Sequence, residues 1–252
     1  MILFPLFLLL NYGDIFFCNI NKIHIEAVCA SMKILFIGNS YTFFNDMPKI
    51  FENLANDNGI KVEVHSITKG GRRLESYADS SDPITESLLT LLGRETFDVC
   101  FIQEQSVLPA LDFDRFVSGL SCVIDLVKDK CSRLILYSTW GRKEGSEKLA
   151  KYHWTSEYMT GLLSDAYQRA AALFDVSVSS VGINFMKVSR NCSNIDLYRD
   201  DFSHPSYHGS CLAALTHYHT VFGCFPENTR ALMLSSEEIN VFRMAICDTT
   251  AE

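Results

Sequence analysis

Short apolar runs alternate with longer mixed segments along the chain from Met32 onward. Apolar runs of about four to eight residues are typical of strands that are buried on both faces of a sheet. They predict five strands, at about 34–37, 61–67, 97–103, 133–139 and 175–182. The segments between them predict helices, at about 47–59, 83–92, 113–129 and 155–174. This alternating order favours one open parallel sheet with helices on both faces and right-handed crossovers.

The first 31 residues do not follow this alternation. Their opening run, MILFPLFLLL, is too short to span a bilayer, and no Lys or Arg precedes it. The small residues at 28–30 resemble a signal cleavage site but lie far from that run. We therefore expect residues 1–31 to be a leader or a mis-called start, and residues 32–252 to form a single domain. If translation starts at Met32, we expect a cytoplasmic protein; if residues 1–31 are a cleaved signal, we expect an exported one. In neither case do we expect stable insertion into a membrane.

The charge balance and the cysteines restrict the class of ligand. The chain of 252 residues carries 22 Lys and Arg against 30 Asp and Glu, a formal net charge of −8. This argues against a nucleic-acid surface, which needs clustered cations to neutralise phosphates. The nine cysteines form no C-x-x-C pair and are odd in number, so they predict neither a zinc knuckle nor a closed disulfide framework.

The residues that follow the predicted strands are the candidates for chemistry, because ligands of open α/β sheets bind beyond the carboxyl ends of the strands. Small, polar or aromatic residues follow the first four strands: Gly38-Asn39-Ser40, Lys69-Gly70-Gly71-Arg72, Gln103-Glu104-Gln105-Ser106 and Trp140-Gly141-Arg142. The dinucleotide and P-loop signatures, G-x-G-x-x-G and G-x-x-x-x-G-K-[ST], are absent from the sequence. The α/β-hydrolase signature G-x-S-x-G is absent as well.

A second informative stretch lies ahead of the last predicted helix. Asp201 and His204 are three residues apart, and Pro205 constrains the turn that contains them. In such a turn the carboxylate can reach the imidazole, fix its tautomer and stabilise the imidazolium that forms when it takes a proton from a serine. Ser206 is expected to cap the helix that follows. Ser40 is the candidate serine, although a plain cap of the helix after the first strand is the structural alternative for it.

Taken together, these blocks resemble the SGNH hydrolases, also called the GDSL family, over residues 33–223. The resemblance implies a flavodoxin-like three-layer α/β/α domain with a five-stranded parallel sheet. It also implies a serine esterase that requires no cofactor and no metal, with Ser40 as nucleophile, His204 as base and Asp201 orienting His204. The expected substrate is a small-molecule or carbohydrate ester, and an O-acetylated carbohydrate is the expectation by family analogy.

The fit to the family is looser at the oxyanion hole. In the family this hole combines the serine N–H, a glycine N–H of the second block and an asparagine of a third block, G-x-N-D. Here Gly71 or Gly70 would supply the glycine, and QEQS stands where G-x-N-D is expected. Gln105 occupies the place of the asparagine in the simplest alignment, and Gln103 is the alternative donor. This departure indicates a divergent branch of the family.

Three further residues of the strand ends are candidates for substrate binding. These are Asn39, beside the candidate nucleophile, and Trp140 and Arg142, after the fourth strand. Trp140 would act as a stacking platform and Arg142 as an anchor for a carboxylate or a sugar hydroxyl. A tryptophan packed over the core is the structural alternative for Trp140.

Two rival functions remain open at this point. A metal-dependent hydrolase would use His204 and His208 with Asp200 and Asp201, since imidazole and carboxylate ligands on zinc activate water. The spacing argues against it, because the two histidines flank a helix start that contains a proline. The other rival is a binding protein that keeps the fold without its chemistry, which the altered third block favours. His217 and His219 lie two apart on a helix and are interpreted as structural.

Overall fold

The computed structural model of the protein describes residues 31–248. Within this range five parallel strands form one sheet in the order β2-β1-β3-β4-β5. Their bounds are β1 Met32–Gly38, β2 Val62–Thr68, β3 Phe97–Ile102, β4 Cys131–Tyr137 and β5 Ser177–Ser179. The expected leader at 1–31 lies outside the described residues except for its last position, so the domain boundary there stays a prediction.

Helices connect the strands and continue after the last one. Their bounds are α1 Ser40–Phe43, α2 Met47–Asp57, α3 Pro83–Leu92, α4 Leu108–Leu111, α5 Phe113–Val127, α6 Glu147–Tyr152, α7 Ser156–Phe174, α8 Val181–Asn191, α9 Tyr207–Phe222 and α10 Ser236–Cys247. Short 3₁₀ turns lie at Phe44–Asp46, Leu74–Ala78 and Arg230–Leu232. Among the described helices, none is long and apolar enough to cross a membrane.

Alternate residues of β1 enter two separate cores. Ile34 and Phe36 pack in a core with α2, α8, α9 and α10, whereas Leu35 and Ile37 pack in a core with α3, α5 and α7. All four side chains are fully buried. A strand covered on both faces in this way is the central strand of a three-layer sandwich. The predicted three-layer α/β/α, flavodoxin-like fold is therefore confirmed.

The fifth strand is shorter than its apolar run predicts. Only Ser177–Ser179 pair with β4, and the chain enters α8 at Val181. Val181, Phe185 and Val188 are buried on one side of this helix, at positions i, i+4 and i+7. That spacing is the helical signal which the strand prediction for 175–182 overlooks.

The carboxyl ends of the four longer strands lie along one edge of the sheet. Gly38 of β1 stands opposite Thr68 of β2, and Ile37 opposite Ile102 of β3. Ile102 in turn stands opposite Leu136 of β4. The segments that follow these strands therefore leave the sheet side by side, which brings the four sequence blocks to the same edge.

Candidate active site

The turn after β1 presents Ser40 at this edge. Asn39 caps α1 with an extended backbone, and its side-chain oxygen accepts a hydrogen bond from Tyr41 N at 3.2 Å. Ser40 is the first residue of α1, and first-turn amides lack intrahelical partners. A Cβ at Gly38 would lie 2.5 Å from Thr42 Oγ1 and 2.6 Å from Gln103 Oε1, so any larger residue would displace these two side chains. The turn therefore needs Gly38 to bring Thr42 and Gln103 against the strand end.

The structure brings Ser40, His204 and Asp201 into one chain of hydrogen bonds. His204 Nε2 lies 2.8 Å from Ser40 Oγ, and His204 Nδ1 lies 2.5 Å from Asp201 Oδ2. Asp201 Oδ1 also accepts hydrogen bonds from the backbone N–H groups of Ser203 and His204, at 2.9 and 2.8 Å. These backbone bonds hold the carboxylate in the turn, so its second oxygen is directed at the imidazole.

Two aromatic rings and a charged carboxylate fix the imidazole of His204. The Phe44 ring stacks on it with centroids 4.3 Å apart, and the Tyr41 ring lies 5.6 Å away. Burial raises the pKa of Asp201, but the hydrogen bonds from His204 and from the backbone outweigh burial and hold this pKa below its ordinary value. Asp201 is therefore a carboxylate at neutral pH, able to stabilise a protonated His204.

Asn39 is buried and does not face the crevice, so its prediction as a substrate-binding residue is wrong. Only 2% of its surface is exposed. Its side-chain oxygen caps Tyr41 N, and its Nδ2 donates to the backbone carbonyl of Arg72 at 3.0 Å. With both ends of the amide occupied, Asn39 connects the turn after β1 to the loop after β2.

The second block forms a tight turn in which the two glycines are central. Arg72 N donates to Lys69 O at 3.1 Å, and Gly71 has a φ of 69°. A positive φ at the third position is typical of a type II turn and favours glycine there. Gly70 and Gly71 are both exposed, and a Cβ at Gly70 would lie 4.0 Å from Phe43 Cζ. Both glycines thus remain candidates for the oxyanion hole.

The side chain of Arg72 holds this turn in place. Its guanidinium forms an ion pair of 2.8 Å with Asp82, and its Nη2 also donates to Thr85 Oγ1 at 3.0 Å. The same guanidinium lies over the Tyr77 ring at 4.1 Å from its centroid. Because the Arg72 carbonyl accepts the bond from Asn39, this anchor reaches the turn that carries the candidate nucleophile.

The two glutamines of the third block have different environments. Gln103 is 1% exposed; its Oε1 accepts hydrogen bonds from Asn39 N at 2.9 Å and Thr42 Oγ1 at 3.0 Å, and its Nε2 donates to Glu104 O. These contacts make Gln103 a support of the turn after β1, and its role as the alternative oxyanion donor stays a prediction. Gln105 is half-buried, and its Oε1 accepts from the backbone N–H groups of Val107 and Leu108.

Glu104, between these glutamines, was not singled out by the sequence reasoning. Its side chain is fully buried, and its carboxyl accepts hydrogen bonds from Leu74 N at 3.2 Å and from Gln105 N at 2.5 Å. Burial raises the pKa of Glu104 to about 7, against the lowering effect of those two hydrogen bonds. A charged residue directly after an apolar strand is the sequence signal that marks it.

Trp140 is wrong as a stacking platform, because none of its surface is exposed. Its ring stacks on Phe185 with centroids 3.9 Å apart and on Tyr41 at 4.7 Å. Its Nε1 donates to Ser203 O at 3.1 Å, next to the turn of the Asp–His pair. The structural alternative, a tryptophan packed over the core, is the one observed. Arg142 is half-buried, and its Nη2 donates to Ser106 Oγ at 3.1 Å.

The histidines of the rival metal site serve different partners. His208 Nε2 lies 2.9 Å from Glu238 Oε1 of α10, whereas the ring of His204 contacts Ser40 and Asp201. In residues 31–248 no group of three or more His, Cys, Asp or Glu side chains is placed to hold a metal ion. His217 is fully buried with Nδ1 2.8 Å from Ser179 Oγ, and burial lowers its pKa to about 3, so this ring is neutral.

Comparison with solved structures places the fold in a known class, that of three-layer α/β/α hydrolases and esterases. A protein of Slackia heliotrinireducens assigned to the SGNH hydrolases is 29% identical, with a TM-score of 0.67 over 76% of this chain and 99% of that one. A DUF4886 family protein of Bacteroides uniformis is 17% identical, with a TM-score of 0.74 over 86% and 93%. Axe2, an acetylxylan esterase of Geobacillus stearothermophilus, is 13% identical, with a TM-score of 0.53 over 81% and 95%.

The chain is related to the SGNH hydrolase superfamily, as its sequence blocks indicate. No family model matches the sequence, and no curated protein matches it significantly. The relationship therefore rests on the solved structures of similar fold.

Proposed function

We propose that the protein is a serine esterase in which Ser40 is the nucleophile. The observation that carries this proposal is the line of hydrogen bonds from Asp201 through both nitrogens of His204 to Ser40 Oγ. His204 takes the proton of Ser40 as the hydroxyl attacks the ester carbonyl, and it returns that proton to the leaving alcohol. Water then hydrolyses the acyl-enzyme with His204 again as base.

The oxyanion of the tetrahedral intermediate needs donors that are already in place. The backbone N–H of Ser40 opens α1 and has no acceptor among the described residues. The turn at Gly70 and Gly71 lies beside it through the bond between Asn39 and Arg72. The side-chain NH₂ group of Gln105 is the proposed third donor; it lies 3.4 Å from Ser106 Oγ, and the Oε1 of the same amide accepts from Val107 N. Each such donor contributes about two to three powers of ten in turnover.

The proposed substrate class is a short-chain ester, with an O-acetylated carbohydrate as the first natural substrate to examine. This choice is supported by the acetylxylan esterases among the structures of similar fold. Similarity of fold at such low sequence identity to this chain does not determine a substrate, so aryl acetates are the appropriate substrates for a first assay. No cofactor or metal takes part in the proposed mechanism.

Labelling with a fluorophosphonate probe tests the nucleophile directly. We expect the probe to modify Ser40, as located by peptide mass spectrometry, and Ser40→Ala to lose both labelling and hydrolysis of 4-nitrophenyl acetate. Ser87→Ala, which alters an exposed serine of α3, is the matched control and should behave as the wild type. A folded protein that neither reacts with the probe nor hydrolyses any ester would favour the binding-protein alternative. Hydrolysis that is lost with EDTA and restored by zinc would favour the metal alternative.

A further inference from the structure

Arg142 is a half-buried cation with few partners among the described residues. A guanidinium has five N–H donors, and the side chain of Arg142 makes one hydrogen bond in the described residues, from Nη2 to Ser106 Oγ at 3.1 Å. Its Nε is buried without an acceptor, and no carboxylate of residues 31–248 pairs with it. Burying a charge is unfavourable unless an opposite charge compensates it. No acidic side chain of residues 31–248 supplies that compensation.

The position of Arg142 ties this cation to the proposed active site. It follows β4 at the edge where Ser40 follows β1, and its hydrogen-bond acceptor Ser106 follows β3 at the same edge. Tyr41 OH lies 2.8 Å from Ser203 Oγ, and the Tyr41 ring lies 5.6 Å from the ring of His204. An anion bound at Arg142 would therefore lie beside the serine and not at a remote surface.

Two further cations act on the same region. The half-buried Lys148 of α6 has no ion pair among the described residues, and burial together with the charges of Arg142, Lys151 and Arg73 lowers its pKa. Arg73 follows the glycine turn, and its one ion pair within the described part of the chain is a long contact of 3.5 Å with Glu75. The carboxylate of Glu75 is instead engaged by Arg115, at 2.6 Å. Mutual repulsion of these cations is relieved when an anion binds among them.

We infer that the ester substrate carries a carboxylate, which Arg142 binds beside the scissile bond, with the charges of Lys148 and Arg73 adding to the field. This inference rests on the proposed esterase function and specifies its substrate class. Guanidinium groups match the planar geometry of a carboxylate, and a lysine adds a point charge. The chain as a whole is acidic, with a net charge of −8, so an excess of cations here is local and not a consequence of composition.

Matched pairs of esters test the inference and locate the carboxylate. One pair is 3-acetoxybenzoate against its methyl ester, with the charge on the alcohol side. The other is 4-nitrophenyl hemiglutarate against 4-nitrophenyl butyrate, with the charge on the acyl side. We expect the wild type to show at least a tenfold higher kcat/KM for the anionic member of one pair, and this ratio should fall as salt is added.

For each variant we compare the ratio of kcat/KM for the anionic ester to kcat/KM for the neutral ester, and not the absolute rate. Arg142→Gln and Lys148→Gln should each lower the anionic-to-neutral ratio about tenfold or more, and Arg142→Lys should lower it less because the charge is kept. Arg94→Gln and Lys61→Gln, exposed residues ahead of β3 and β2 at the opposite edge of the sheet, should keep the wild-type ratio. Lys148→Gln keeps the test valid if Arg142→Gln does not fold, because the Lys148 side chain has no hydrogen bond or ion pair with any of residues 31–248 to lose.

The outcomes separate this inference from the proposed function. A wild type that hydrolyses neither member of either pair contradicts the esterase proposal itself. A wild type that hydrolyses the neutral esters with no preference for the anionic ones, or that keeps its preference in both variants, overturns the inference alone. Calorimetric titration of Ser40→Ala with the same pairs gives a readout without turnover, in which the anionic member should bind at least tenfold more tightly.

Discussion

The buried carboxyl of Glu104 should make the stability of the protein depend on pH, and Glu104→Gln should remove that dependence. The side chain is fully buried under the loop at Leu74, and its hydrogen bonds join that loop to the end of β3. Glutamine keeps the shape and one acceptor oxygen for these backbone N–H groups. Glutamine has no charged form, so the variant lacks the desolvation penalty of a buried carboxylate, which raises the pKa of Glu104 to about 7.

The sign follows from the proton balance of the two states. The pKa is raised in the folded protein, so between the ordinary value of 4.5 and about 7 the folded state holds a proton that the unfolded state has lost. The free energy of unfolding therefore falls as pH rises through this window and levels off above it. Since one pKa unit corresponds to about 1.4 kcal/mol, we expect this carboxyl to reduce stability by about 2.5 kcal/mol between pH 5 and pH 8.

Urea unfolding at a series of pH values, followed by circular dichroism, measures this difference. The wild type minus Glu104→Gln difference in unfolding free energy should change by about 2.5 kcal/mol from pH 5 to pH 8, to the advantage of the variant at high pH. Glu227→Gln, at an exposed carboxylate, is the control and should run parallel to the wild type. Parallel curves for wild type and Glu104→Gln would refute the reasoning.

Four other substitutions probe the proposed site. Gln105→Ala should lower kcat about a hundredfold with little change in KM, because an oxyanion bond forms mainly in the transition state. Gln103→Ala should lower the unfolding free energy by about 1–3 kcal/mol, because it removes a buried hydrogen-bond acceptor. If kinetics and melts show the reverse pattern, the roles of the two glutamines are exchanged. Asp201→Asn should lower kcat about a thousandfold without loss of fold, and wild-type rates would remove Asp201 from the mechanism. Gly38→Ala should lower kcat/KM about tenfold or more, since the added Cβ would lie 2.5 Å from Thr42 Oγ1. Gly161→Ala, where the space is open, is the control and should leave kcat/KM unchanged. Equal rates for the two variants would show that the turn after β1 tolerates the displacement of Thr42.

The order of elements was predictable because each central strand is a continuous apolar run. β1 and β3 are buried on both faces, so their sequences contain almost no polar residue and stand out from the helices around them. The helix α10 was not predicted, although Ser235 and Glu238 form a capping box at its start. β5 was overextended because the run at 175–182 continues into α8, which only the helical spacing of Val181, Phe185 and Val188 marks.

Positions of the site residues followed from topology, but their side-chain partners did not. Ser40, Asp201 and His204 lie where strand ends and a constrained turn must meet, which the sequence order implies. Trp140 and Asn39 occupy similar positions, yet both point into the protein, and only the packing of Phe185 and Arg72 around them decides this. Burial of a side chain after a strand depends on distant segments, so a local pattern cannot reveal it.

The anchoring of Arg72 also bears on the entropy of substrate binding. Its ion pair with Asp82 fixes the carbonyl that holds Asn39, so the loop after β2 and the turn after β1 lose their conformational freedom when the chain folds. A substrate that arrives later does not have to order these backbone amides. A substitution at Asp82 that breaks this ion pair would make the substrate order these amides when it binds. The expected effect is a slower acylation of Ser40, a residue that Asp82 does not contact.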